Sequence, residues 1–147
     1  DNPICEDPDT ACNIINNGAL VLCLPTCDPL LQDCAEGQAC YPVQQEFTCA
    51  PDASGPMGLF GDPCEFINVC KLGNLCGNAM AVPNCVGGVG CCAPFCSLDE
   101  DDPKQTCIDA YGAAEHDLGG SEVDCVPWYE PGSEVPGLGH VGICILP

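Results

Sequence analysis

Seventeen cysteines fall within 147 residues. So high a density reads as a disulfide framework, because reducing compartments keep thiols unpaired. Removing one native bridge from a small secreted domain typically costs about 2–5 kcal/mol, while a whole domain is stable by only roughly 5–15 kcal/mol. The cysteines therefore decide whether this chain folds. They predict a small disulfide-rich fold, mainly β or irregular, in a secreted, extracellular or cell-surface setting.

Other features agree with that setting. The chain opens at Asp1 with no initiator Met, basic n-region or apolar h-region, which reads as a processed product. Its longest apolar run, Ala19 to Leu24, is strand-sized and far below the roughly 20 residues that span a bilayer. No transmembrane segment is expected.

Twenty-two acidic residues face only Lys71 and Lys104, for a formal charge of −20. Nucleic acid is excluded as a partner on this count, since phosphate binding is driven by Lys and Arg. Such charge often accompanies disorder, but only where hydropathy is low. Here mean hydropathy is slightly positive, and 17 glycines with 15 prolines predict short elements and turns between staples, with few helices.

The cysteine spacing repeats. Cys23-Leu-Pro-Thr-Cys27, Cys34, Cys40-Tyr-Pro and Cys49-Ala-Pro are answered by Cys92-Ala-Pro-Phe-Cys96, Cys107, Cys125-Val-Pro and Cys144-Ile-Leu-Pro. Upstream, Cys5 and Cys12 align with Cys64 and Cys70, leaving Cys76, Cys85 and Cys91 unmatched. A shorter echo competes, setting Cys34 to Cys40 against Cys70 to Cys76. The two-lobe alignment uses more of the chain. It predicts a first lobe over 1–50, a Gly/Pro-rich linker over 51–63 and a second lobe over 64–147. The stretches 97–105 and 111–121 read as loop insertions in the second lobe.

Asn17-Gly18 between Asn13-Ile-Ile and Ala19-Leu-Val-Leu predicts a β-hairpin with positive φ at its tip. Residues 47–50, 66–69 and 141–146 are further strand candidates. Vicinal Cys91 and Cys92 are expected to bridge to different partners. Seventeen is odd, so one thiol is left free, capped or joined to another molecule.

Little in the sequence points to catalysis. Cys-x-x-Cys is missing, and with it the usual zinc and redox spacings. The only histidines are His116 and His140, and none of Ser54, Ser97, Ser121 or Ser133 sits in a Gly-x-Ser-x-Gly elbow. Glu115-His116-Asp117 reads as solvated surface. The densest charge cluster, Asp99-Glu100-Asp101-Asp102, offers hard oxygen ligands of the kind Ca²⁺ takes, though without EF-hand spacing. Those four residues are the candidate metal ligands, and calcium is the candidate ion; no cofactor is required. Trp128-Tyr129 reads either as an interface anchor or as core filling.

The segments Cys27-Asp-Pro-Leu-Leu-Gln-Asp-Cys34, Gly61-Asp-Pro-Cys64-Glu-Phe-Ile-Asn-Val-Cys70 and Val126-Pro-Trp-Tyr-Glu130 resemble cysteine-rich secreted proteins of myxobacteria-like bacteria, whose function is not established. The resemblance implies bacterial secretion or surface display and brings no catalytic residues with it.

Together these features predict a non-enzymatic structural protein that self-assembles into a cell-surface fibre, sheath or matrix. Its main partner is then itself, as a homo-oligomer or filament, or another cell-surface protein. The alternative is a secreted binding module of adhesion or inhibitor type, calcium-dependent in one form, that presents loops such as 111–121.

Overall fold

The computed structural model describes residues 4–114 and 122–147. Its strands form antiparallel pairs, four of which bring two cysteines face to face. β1 (Thr10–Ile15) pairs with β2 (Leu20–Pro25), placing Cys12 opposite Cys23. β3 (Gln38–Val43) pairs with β4 (Glu46–Pro51), placing Cys40 opposite Cys49. The short β5 (Pro63–Cys64) and the longer β6 (Asn74–Asn78) both pair with β7 (Gly90–Ser97), where Cys76 faces Cys92. After α1 (Pro103–Ala113), β8 (Asp124–Pro127) pairs with β9 (Val141–Ile145), and Cys125 faces Cys144.

Facing cysteines do not bond each other. In three of the four pairs each reaches back to a cysteine that precedes its strand pair, in the same order each time. Cys27 and Cys34 take Cys40 and Cys49; Cys64 and Cys70 take Cys76 and Cys92; Cys96 and Cys107 take Cys125 and Cys144. In the first strand pair, Cys5 takes Cys23 and Cys12 stays free. The remaining bridge, Cys85–Cys91, closes the β6–β7 connection. Vicinal Cys91 and Cys92 therefore go to different partners, as neighbours on opposite faces of a strand must.

The fold is a small disulfide-rich one of hairpins and loops. Thr26 bridges to Thr48 in the first lobe, as Phe95 pairs with Ile143 in the second. Turn hydrogen bonds match as well: Thr10 N–H to Asp7 O and Thr26 N–H to Asp9 O correspond to Asn74 N–H to Lys71 O and Phe95 N–H to Gly73 O. Strand register shifts the upstream alignment, however. Cys12 corresponds to Cys76 and Cys5 to Cys70, so the unmatched cysteines are Cys64, Cys85 and Cys91. Spacing could not separate the two alignments, because Cys64 and Cys70 stand as far apart in the sequence as Cys70 and Cys76.

Several local expectations change. Residues 66–69 are not a strand: Ile67–Val69 is a single 3₁₀ turn. Cys64 and Cys70 both bridge to the β6–β7 pair, so the chain between them must fold back. The stretch 97–105 is only partly loop, since α1 begins within it, and residues 111–113 of the second expected loop end that helix. Asp102 caps the helix by accepting the Gln105 N–H, and Pro103 stands at the first turn, where its missing N–H costs nothing. The rest of 111–121, with Glu115-His116-Asp117, lies outside the described residues apart from Ala114.

The core runs through both lobes. Phe47 packs against Phe95 and Trp128, with ring centroids 5.5 Å away in each case. Segment 51–63 contributes Phe60, which is buried edge-on to Tyr111 at 5.1 Å. Tyr41 is fully buried and donates its hydroxyl to Cys70 O at 2.9 Å. Among the described residues no helix is long and apolar enough to cross a membrane.

Candidate functional site

The β1–β2 hairpin is the least covered part of the strand framework. Its tip holds Asn17 and Gly18 at positive φ, a conformation Gly and Asn reach most easily. The connection is a four-residue one, because Ile15 pairs with Leu20. Directly opposed residues share a face, so Cys12, Cys23, Ile14 and Val21 lie together. Ile14 is 45% and Val21 43% exposed, while Cys12 is half-buried.

The equivalent face of β6–β7 is covered. There Cys64 bonds Cys76, Cys70 bonds Cys92, and β5 lies along the β7 edge with Cys64 opposite Gly90. Cys92 donates its N–H to Asp62 O and accepts from Gly61 N–H, both at 2.8 Å. Among the described residues no strand takes the matching place beside Cys23, and β1 with β2 forms a two-stranded sheet.

A shallow apolar groove lies on the second lobe, lined by Pro63, Glu65, Phe66, Val69 and Gly87 to Val89. Phe66 is 64% and Val89 70% exposed. Side chains this apolar and this open, set side by side, mark a surface suited to contact.

Asp99, Glu100, Asp101 and Asp102 are all exposed at the start of α1, beside Asp109. Two of them serve the helix. Asp102 caps it, and Glu100 accepts the Thr106 hydroxyl. Asp109 accepts from Gln105 Nε2 at 2.8 Å. Calcium asks for six to eight converging oxygens. Among the described residues, the groups of three metal-capable side chains drawn within 4.8 Å of one another are cysteine groups: Cys27, Cys34 and Cys40; Cys64, Cys70 and Cys92; Cys96, Cys107 and Cys125. Every one of these sulfurs is in a bridge, and a metal ligand must be a thiolate.

Compared with known protein families, curated proteins and solved structures, the chain matches none. Its chemistry has to be read from its own side chains.

His140 stands 4.0 Å from the Asp28 carboxylate, an ion pair when the imidazole is protonated. His116 lies outside the described residues, as does Ser121. Ser133 donates to Glu130 O and Ser97 accepts the Asp99 N–H, so both hydroxyls serve turns. Trp128 belongs to the core through its contacts with Phe47 and Phe95. Tyr129 is half-buried, and its hydroxyl has no hydrogen-bond partner among the described residues. Burial pushes that phenol upward, with the Glu46 carboxylate adding to the shift.

The features that sequence reasoning missed are the open β2 edge and the Phe66–Val89 groove. No motif encodes either. An Asp-Pro pair ahead of Thr106-Cys-Ile-Asp-Ala-Tyr did carry the helix signal.

Proposed function

We propose that this chain is a non-catalytic extracellular structural protein, a self-assembling subunit of a cell-surface fibre, sheath or matrix. The observation that carries the reading is a stapled body with open strand edges: eight bridges hold the core, while among the described residues β1–β2 and β3–β4 stay two-stranded sheets, with β2 paired to β1 alone. An open edge is a template for strand addition, and the exposed Ile14, Val21, Phe66 and Val89 add apolar area to a contact between copies. With Lys71 and Lys104 as its only basic residues, the chain offers trypsin-like proteases few cuts, which suits a durable part.

Self-assembly has to overcome repulsion between bodies of charge −20. Like charges about 4 Å apart oppose each other by roughly 1 kcal/mol in water before salt screening. Lowering the pH towards the sequence pI of about 4.1, or adding calcium, is therefore expected to promote assembly. Sedimentation velocity across both titrations tests this; a monomer that persists throughout contradicts the reading.

A secreted binding module is the second reading, favoured by the Phe66–Val89 groove. It predicts a stable monomer whose ligand affinity falls with Phe66→Ser.

A further inference from the structure

We infer that the cleft between residues 26–28 and 135–138 is a seat for an arginine side chain on a basic segment of a partner protein. The cleft has a volume of about 520 Å³, within the range of pockets that take ligands. Asp9, Asp28, Asp33 and Glu46 stand on its walls, and Phe47 and Leu138 give it apolar surface. No lysine lines it.

The fold uses only part of this acidic wall. Asp28 Oδ1 accepts the Leu30 N–H at 2.8 Å, and Asp33 Oδ1 accepts the Asp28 N–H at 3.0 Å. The second oxygen of each, and both side-chain oxygens of Asp9 and Glu46, accept no hydrogen bond among the described residues. The wall already draws one basic group, since His140 Nε2 stands 4.0 Å from Asp28 Oδ2.

An independent observation lies next door. A second recess, of about 420 Å³, shares Glu46 and Val135 with the cleft and adds Trp128 and Tyr129. The Tyr129 hydroxyl is buried there with no hydrogen-bond partner among the described residues, and Glu46 is near enough to act on it by charge. A buried polar atom left unpaired calls for a partner from outside the fold. The missing group is a hydrogen-bond donor that also suits a carboxylate, which is a cation bearing N–H groups.

The arrangement selects among cations. Calcium needs oxygens that converge on one point, and among the described residues the side-chain groups drawn that closely together are all cysteines. Carboxylates spread along a cleft suit a planar guanidinium, whose five N–H donors point in several directions. Its stem lies on apolar surface such as Phe47 and Leu138, and its plane stacks on aromatic rings such as Trp128 and Tyr129. A second copy cannot supply the group. The chain has no arginine, Lys71 is half-buried, and Lys104 follows Asp99-Glu100-Asp101-Asp102, so it would carry like charge into the cleft. The occupant is a different, basic protein, which a body of charge −20 attracts from a distance. The inference therefore rests neither on the self-assembly reading nor on the Phe66–Val89 groove.

The test measures binding of a fluorophore-labelled Leu-Arg-Leu-Arg-Leu peptide by fluorescence anisotropy in calcium-free buffer at physiological salt, where general attraction between exposed charges is screened. Asp9→Asn with Glu46→Gln removes two charges from the cleft and breaks no hydrogen bond of the fold; it should weaken binding about tenfold. Asp109→Asn with Glu122→Gln removes two charges from outside the cleft and should change affinity less than about twofold. Val135→Trp fills the cleft and its neighbour without altering charge, and should weaken binding about as much as the cleft pair. Replacing each arginine of the peptide by neutral, similarly shaped citrulline should abolish binding, and replacing it by lysine should weaken binding several-fold. No binding by the unaltered protein, equal losses from the two charge pairs, full affinity in Val135→Trp, or equal affinity for the lysine or citrulline peptide overturns the inference.

Discussion

Tyr41 ties residues far apart in the chain together. It is fully buried in the first lobe, and its hydroxyl donates to Cys70 O in the second. Burial pushes its phenol well above the usual tyrosine range, and the Asp52 carboxylate adds to the shift by charge and by hydrogen bonding. In the unfolded chain a tyrosine ionises near pH ~10, whereas Tyr41 in the folded protein stays neutral to higher pH. The unfolded state then releases the proton first, so this contribution is intact below about pH 10 and is lost as pH rises beyond it. Urea unfolding followed from pH 8 to 11, in a Cys12→Ser background that suppresses thiolate exchange, should show stability falling above about pH 10. Tyr41→Phe should cost about 1 kcal/mol at neutral pH, by leaving the Cys70 carbonyl without its donor, and should flatten the alkaline fall. Nothing in the sequence around Tyr41 singled it out, because its partner is 29 residues away.

Among the elements, the β1–β2 hairpin was legible in advance, and α1 was not. Asn17 and Gly18 take positive φ where the local sequence asks for it, and the flanking β-prone runs pair. Segments 47–50 and 141–146 also lie in strands, save the final residue of the latter. Helix α1 was hidden by the acidic run before it and the Gly-rich run after it. The signal is the cap itself, Asp102 followed by Pro103. Asp102→Ala should cost about 1 kcal/mol in denaturant unfolding, through fraying of the turn that leads to Cys107. The four acids at 99–102 were legible as a cluster. Their division into one cap, one hydroxyl acceptor and two solvated carboxylates came from the helix they precede.

Over the whole molecule, the bridges differ in what they restrain. Cys107–Cys144 spans 37 residues and Cys85–Cys91 spans 6. In the chain-entropy account the longer loop constrains the unfolded state more, by about 1.6 kcal/mol between these two. Equilibrium unfolding of the paired Cys→Ser variants should show that ranking, and the reverse order would place the effect in local packing. Cysteine number and composition by themselves determined the small disulfide-rich, mainly β or irregular class, because so dense a set of staples leaves room only for short elements and turns. Which cysteines correspond between lobes was decided only by the tertiary structure: strand register, not spacing, sets which sulfurs face each other. The shared core through Phe47, Phe95 and Trp128 and the vacant edge of β2 have the same origin. They are relations between segments distant in the chain, and no local pattern encodes a contact that forms only once both sides have folded.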